Sequence, residues 1–493
     1  MKKIAFAGTD GRTLLSALVT ATATSNIYDE AFKGLVIRGT PAMPEFSEIM
    51  NWPVEFIATN SNSVEDYTFA IIEALREKKL DYVIPMPEAL LFEGLVDAVE
   101  QAGFGEYIIG LRKSGAFIEG DKIECKKLCR EAGIPVATSW DDVDAKDYQK
   151  ILQTCLNYIH TYGGAVLKYP YSAGGKGARI ISNSWEIKEV YDGLIKDYKG
   201  NYKKLFGGKG KWPLLIESLM SGVEISFTIL VDKNGNFQIL PTAMDYPERF
   251  EGPAGKNNPI TGGMGAVSPH PLETPELIKM AGDVIAGPLI EAMRKKAILR
   301  PCVLYPGCFV SLDAAGLPKT IRVSEINIRP GEPEAQPVIR RLRNLGPLIK
   351  ATLEGNLNEV EPEVRTDQLA MCAALVTGRG GPDGQKGYPW SCTRGEPVDI
   401  DFKYMKRKGI QVIPSAMMGS PQENGFKSDG TRVAFLNANL TVKSHESRGE
   451  AAERFRKKLL DAIDHGKIRV IPREDPDGCL LYTSDAADEL RSV

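Results

Sequence analysis

Histidine is scarce in this chain: four in 493 residues, at His160, His270, His445 and His465. A catalytic triad or a multi-histidine metal centre would use most of that supply, so imidazole acid–base chemistry is not expected. Cysteine is dilute as well. Eight are spread over the length, far below the density of a disulfide scaffold. Cys125 and Cys129 share a helix face, but no second pair follows at zinc spacing, so they are expected as small core residues. Excess charge is also missing: 61 Lys and Arg against 64 Asp and Glu leave a net −3. No global field therefore favours nucleic acid or an anionic membrane. No apolar run approaches the ~20 residues of a membrane helix. The apolar stretch of the opening MKKIAFAGTDG is too short for a signal peptide and reads as a first strand. Together these absences predict a cytoplasmic, reducing location.

What is present is ordinary for a globular protein, with 43% hydrophobic and 25% charged residues. At roughly 100–200 residues per domain the length predicts three or four domains. Over the first hundred residues, strand-like runs (KKIAFAG, GLVIRG, VEFIAT, DYVIPM) alternate with helical ones (TLLSALVTATA, VEDYTFAIIEALREKK, LFEGLVDAVEQAG). That alternation predicts an α/β, doubly wound parallel sheet. Ligands bind past the carboxyl ends of such strands, which places Gly8, Gly11, Arg12 and Glu88 at a candidate site. A glycine-richer stretch follows, then a mixed α+β region with the strand RVAFLNA and the helix GEAAERFRKKLLDAIDHG. The expected domains are residues 1–108, residues 109–345 with a mobile lid over about 128–220, and residues 346–472. CLLYTSDAADE, Cys479 to Glu489, reads as an in-frame translation of a sequencing adapter, so residues 479–493 are expected to play no part and the natural C-terminus to be missing.

Three segments carry chemistry. SAGGKGA, Ser172 to Ala178, follows the strand AVLKYP, which ends near Lys168. Its glycines let backbone N–H groups approach phosphate oxygens, and Lys176 supplies charge. It is not a P-loop, because Ala178 follows Gly177 where Lys and Ser or Thr are required. LLIESLMSGVEISF further on brackets a turn with Glu217 and Glu224. The second segment, NPITGGMGAVSPHP, holds Gly262, Gly263 and Gly265 around Met264; it is expected as a loop wrapping a small anionic substrate. In the third, VSEINIRPGEPEAQP, the period-two alternation of a strand sets Glu325, Asn327 and Arg329 on one face. A carboxylate and an amide oxygen side by side suit Mg²⁺ bound with nucleotide phosphates, and Arg329 suits an anion. Ile326 and Ile328 are expected to anchor the opposite face.

These motifs, in this order, resemble the ATP-grasp superfamily and, within it, the phosphoribosylamine–glycine ligase (glycinamide ribonucleotide synthetase) family. The resemblance runs from the N-terminus to about Asp464. It includes PMPEALLFEGLVDAVEQAG and GLRKSGAFIEGDKIECKKLCREAGIP, with TGGMGAVSPHP and EINIRPGEPEAQ its most specific parts. It implies a central ATP-grasp α+β unit and an enzyme that joins glycine to 5-phosphoribosylamine at the expense of ATP, through a glycyl phosphate. By resemblance, Lys122 and Lys168 match ATP-phosphate lysines. Ser172, Gly174, Gly175, Lys176 and Gly177 match the mobile loop over the phosphates, with Lys176 in a catalytic role. Glu217 and Glu224 match the adenine and ribose segment. Glu325 and Asn327 match the ligands of Mg²⁺ (or Mn²⁺), and Arg329 the arginine at the acyl-transfer centre. Asp245 and Arg249 match the segment before the substrate loop, and Gly262, Gly263, Met264 and Gly265 the loop itself.

The expected partners are glycine, 5-phosphoribosylamine and ATP, with no nucleic acid or membrane, on a monomer or weak homodimer. The chain departs from the family at its N-terminal loop. Asp10 stands at a glycine position, and Thr13 and Leu14 replace a Glu–His pair; Pro330 and Glu332 replace an aromatic and Asp. An added carboxylate there opposes a ribose phosphate unless it is neutralised. The alternatives are a carboxylate–amine ligase with another amine or acid and, in a different class, a non-catalytic nucleotide-binding protein.

Overall fold

The computed structural model describes residues 1–25, 27–28, 30–39, 50–171, 177–250, 258–377, 388–389, 394–420, 425–430, 432–465 and 468–470. Residues 479–493 lie outside them.

The N-terminal unit is the parallel α/β sheet that the alternation predicts. Its strands run in the order Val54–Ala58, Phe32–Arg38, Lys2–Ala7, Tyr82–Pro85, and every pairing is parallel. Helix Gly11–Thr22 crosses one face and is buried nearly all round its first ten residues. Close approach is possible because Gly34, on the neighbouring strand, has no side chain: a Cβ there would collide with the carbonyl of Ala17. Burying Leu14, Leu15 and Leu18 on that helix contributes about 1.5–3 kcal/mol each. The expected helix LFEGLVDAVEQAG is two helices, Glu88–Phe92 and Leu95–Gln101, separated at Gly94, which takes φ +94°.

Two antiparallel sheets build the centre of the chain. The first orders strands Trp140–Asp144, Pro213–Ser218, Ala165–Lys168 and Ala178–Ile181, covered by helices Tyr148–Tyr162 and Ile187–Phe206. The second orders Phe237–Ile239, Ile229–Val231, Cys302–Leu312 and Pro318–Asn327, with Val223–Ser226 also paired to Cys302–Leu312. As the alternation predicts, Ile326 and Ile328 are buried on the inner face of this second sheet.

The glycine-rich segment expected as a loop is a strand. Ile260–Ser268 pairs antiparallel with Met244–Glu248 and with Gln368–Val376, and the sheet continues through Arg432–Thr441 to Gln411–Pro414. Strand pairing accommodates the glycines, and at Gly263 the backbone is pressed against a neighbour. At Gly263 (φ +98°) a side chain would strike Pro333. Two strands from the segment 109–345 thus complete the sheet of the C-terminal segment. A small sheet, Met417–Ser420, Gly425–Ser428, Pro397–Ile400 and Ile468–Val470, lies beyond. The described cysteines, including Cys125 and Cys129, are free and buried. Among the described residues no helix is long and apolar enough to cross a membrane.

Candidate active site

A cavity of about 370 Å³ opens where these units converge. Its wall takes Asp10 and Arg12 from the end of the first strand, Glu88 from the end of the fourth, and Glu119, Lys122 and Lys126 from the helices that follow. The strand Pro318–Asn327 adds Ser324, Glu325 and Asn327; Arg329, Glu332 and Glu334 follow it, and Asp245, Gly262 and Arg432 come from the C-terminal sheet. Residues far apart in sequence meet here because the carboxyl ends of the parallel strands and the polar face of one antiparallel strand point into the same gap.

Lysines dominate one end. Helix Lys122–Glu131 is capped by the Asp121 side chain, which accepts from the backbone of Ile123 and Glu124. One turn apart on that helix, Lys122 and Lys126 share a face. Lys126 is 2.5 Å from Glu217 Oε1 and also donates to the carbonyls of Val323 and Ser324. Lys168 is 2.5 Å from Glu217 Oε2 and 3.3 Å from Ser324 Oγ. Glu217 is 1% exposed. Burial would raise its pKa, but the two ammonium groups hold it below the usual carboxylate range. Glu217 therefore sits beneath the cavity as the anchor of two lysines. Among the described residues Lys122 has no ion pair of its own. Burial lowers its pKa, while Glu325 opposes that shift, leaving it a free cation for phosphate oxygens.

Glu325 and Asn327 share a face, as expected. The Asn327 amide nitrogen donates to the Tyr305 carbonyl at 3.2 Å and lies 3.5 Å from Glu325 Oε1, so its carbonyl oxygen is left as a ligand. Glu325 opens onto the cleft; burial raises its pKa, and Lys122 and Lys168 more than offset this. Glu224 is exposed and does not line the cavity. Desolvation by the surrounding walls, then Glu325, Glu248 and Glu334, push its pKa up to about 7, a shift that solvent screens. Asp245 Oδ1 and Glu334 Oε2 are buried without a hydrogen-bond partner among the described residues, and burial, then Glu334 and Glu224, drives the Asp245 pKa well above the usual range. This excess of oxygen ligands and negative charge fits a divalent cation. Among the described residues no cluster of three His, Cys, Asp or Glu forms a closed metal site.

Arginines line the other end. Arg329 is 3.3 Å from Glu88 Oε2 and 3.2 Å from Glu119 Oε1. Burial disfavours its charge, but Glu119 and Glu88 raise its pKa above the ordinary value. Arg12, 4% exposed, is 2.9 Å from Asp10, and its backbone N–H donates to Glu332 at 2.8 Å. Asp10 also caps helix Gly11–Thr22, accepting from the Thr13 backbone at 3.0 Å and hydroxyl at 2.6 Å. The extra carboxylate of the altered loop is therefore paired with Arg12, a cation that Glu332 and Glu88 share at 3.7 and 3.9 Å. Gly8 and Gly11 lie behind the wall, where a Cβ would meet Pro87 or Phe435.

Other expected residues are placed differently. Met264 is fully buried in the core, so substrate can meet it only through backbone. Gly263 and Gly265 stand beside Gly262 in the strand but do not line the cavity. Arg249 is buried, with its Nε donating to the Tyr388 carbonyl at 2.9 Å. Gly177 accepts a hydrogen bond from the Tyr169 backbone at the base of the lysine-bearing hairpin. Ser172, Gly174, Gly175 and Lys176 lie outside the described residues. Lys126, Glu119, Glu334 and Arg432 join the site without having been expected. Only Lys126, four residues after Lys122 on a helical pattern, carried a signal. Arg432 spans the strand carbonyls, donating to Glu332 O at 3.0 Å and to Gly262 and Gly263.

Comparison with known proteins agrees with this arrangement. The family described as "Phosphoribosylglycinamide synthetase, ATP-grasp (A) domain" matches residues 120–335. The phosphoribosylamine–glycine ligase of Rhodopirellula baltica is 31% identical over 345 residues, 70% of this chain and 73% of that protein. The human trifunctional purine biosynthetic protein adenosine-3 is 26% identical over 84% of this chain and 36% of its own length. In fold, the chain is similar to the crystal structure of phosphoribosylamine–glycine ligase from Thermotoga maritima, with a TM-score of 0.66 at 20% identity, covering 98% of this chain and 99% of that one. Its sequence, and the cavity it builds, make this chain a member of the phosphoribosylamine–glycine ligase family of ATP-dependent ligases.

Proposed function

We propose that the chain joins glycine to 5-phosphoribosylamine, forming glycinamide ribonucleotide, ADP and phosphate in purine biosynthesis. Carrying this reading is the meeting, in one cavity, of a lysine end with cleft-facing oxygen ligands and an arginine end with paired carboxylates. The family uses ATP and a divalent metal; Glu325 and Asn327 are the residues we assign to Mg²⁺ or Mn²⁺, with Glu224 beside them. Bound there, the metal would offset the charge of the transferring phosphoryl group.

The chain's own residues do the rest. Lys122 and Lys168 hold phosphate oxygens, Lys126 and Glu217 fix Lys168, and we place Ser172, Gly174, Gly175, Lys176 and Gly177 over the nucleotide. The unpartnered oxygens of Asp245 and Glu334 suit the ammonium of glycine. Phosphoryl transfer to the glycine carboxylate gives glycyl phosphate and ADP. The amine nitrogen then attacks the acyl carbon, the C–N bond forms, the C–O bond to phosphate breaks, and a proton leaves the nitrogen. Arg329, fixed by Glu88 and Glu119, stabilises the oxyanion of that addition. No covalent bond to the protein is needed, in keeping with four histidines and no activated nucleophile; positioning and charge supply the rate. We assign the protein to the cytoplasm as a monomer or weak homodimer.

Hydroxylamine tests the acyl phosphate directly. With ATP, Mg²⁺ and glycine but no ribosylamine, it should be converted to glycyl hydroxamate with matching ADP release. ADP formation that ignores glycine and yields no hydroxamate would overturn the assignment.

A further inference from the structure

A second cavity, about 490 Å³, lies at the seam between the N-terminal unit and the C-terminal sheet. Its volume is in the range of small-molecule sites. Arg340, Arg365 and Lys406 line it, and among the described residues no carboxylate does. Arg340 is half-buried and spends its donors on neutral amide oxygens, 2.6 Å to Asn439 Oδ1 and a contact to Gln411 Oε1. Among the described residues Arg365, also half-buried, makes no side-chain hydrogen bond or ion pair. Burial and Arg343 work against its charge, and Asp367 and Glu363, which do not line the cavity, partly oppose them. Desolvation and the neighbouring Arg365 push Arg340 down to about 10. Two guanidinium groups facing one concavity without an acid oppose each other, and a bound anion removes that cost.

We propose that this cavity binds a phosphomonoester, its phosphate gripped by Arg340 and Arg365 with Lys406 at the rim, and its organic part lying against Trp52. A phosphomonoester carries about −1.5 to −2 near neutrality and three strong acceptor oxygens, which matches three cations better than a single carboxylate does. The volume exceeds what a bare phosphate needs. The location gives such a ligand leverage. Helix Gly11–Thr22 presents Arg12 to the catalytic cavity at one end and Leu18 and Thr22 to this one at the other; helix Ala335–Arg340 packs against it and runs from Glu334 to Arg340.

The test is a binding titration, independent of the assigned reaction. The full chain is saturated with Mg²⁺ and a non-hydrolysable ATP analogue, and inorganic phosphate, ribose 5-phosphate and AMP are titrated in turn by calorimetry. The expected result is saturable binding of at least one ester, tighter than phosphate. Affinity should fall about tenfold or more in Arg365→Gln, and binding should be lost in Arg365→Glu. Because the Arg365 side chain bonds to none of the described residues, neither variant should alter the circular dichroism or the unfolding midpoint, and the result does not depend on Arg340→Gln folding. Equal affinity in wild type and both variants, or no saturable binding of any probe at millimolar concentration, would overturn the site. Phosphate binding as tightly as both esters would overturn the assignment to an ester.

Discussion

Asp10 shows how surroundings decide a residue's meaning. By sequence it adds negative charge where a phosphate is expected; in the structure its oxygens cap a helix and face Arg12, which holds it in place while also pairing with Glu332 and Glu88. Glu217 lies in a segment matched to nucleotide binding, and its side chain anchors Lys126 and Lys168 in the interior. Glu217→Gln removes the carboxylate paired with two buried ammonium groups and should cost about 3–5 kcal/mol in urea unfolding, with a raised KM for ATP. An unchanged midpoint would contradict the anchoring role. Glu325→Ala should abolish metal-dependent ADP formation while leaving the fold intact by circular dichroism; surviving turnover would contradict the ligand assignment. His270 carries a pH prediction. It is 1% exposed, its Nδ1 accepts from Leu272 N–H and its Nε2–H donates to the Glu224 carbonyl. Burial lowers its pKa from 6.5 to about 4. Between those values the unfolded chain binds more protons than the folded one, so stability is lost as pH falls through that window, by about 3 kcal/mol. His270→Gln should remove this part of the slope in denaturation curves at pH 7 and pH 4.5.

Elements were legible where period and punctuation agreed. The four parallel strands of the first unit, helix Val64–Arg76 and the strand carrying Glu325 and Asn327 follow from apolar alternation and flanking turns. The segment Gly262–Gly265 did not follow, because three glycines weigh against regular structure locally, whereas sheet pairing on both sides and contact with Pro333 reward a missing side chain. Gly34 makes the same point by packing. Gly34→Ala should destabilise the chain by about 1–3 kcal/mol or more, since the new methyl meets the Ala17 backbone and not a movable side chain. A wild-type unfolding midpoint for that variant would show that the helix and strand can separate at no cost.

At the scale of the molecule, the catalytic cavity is an assembly of distant pieces. Its strand-end loops, lysine helix and metal-ligand strand were readable because each carries a local pattern. Arg432 was not, because only the sheet that joins Ile260–Ser268 to Arg432–Thr441 through Gln368–Val376 brings it over Gly262. Membership of the ligase family, with Asp10 held against Arg12 and the cap of helix Gly11–Thr22, leads to one proposal about the whole protein: the altered N-terminal loop still admits phosphoribosylamine. The direct measurement is ADP release from ATP and Mg²⁺ with glycine, with and without phosphoribosylamine generated in place, read alongside product mass. The account predicts release that requires both substrates, together with the mass of glycinamide ribonucleotide. ADP release with another acid or amine but not with this pair would contradict it.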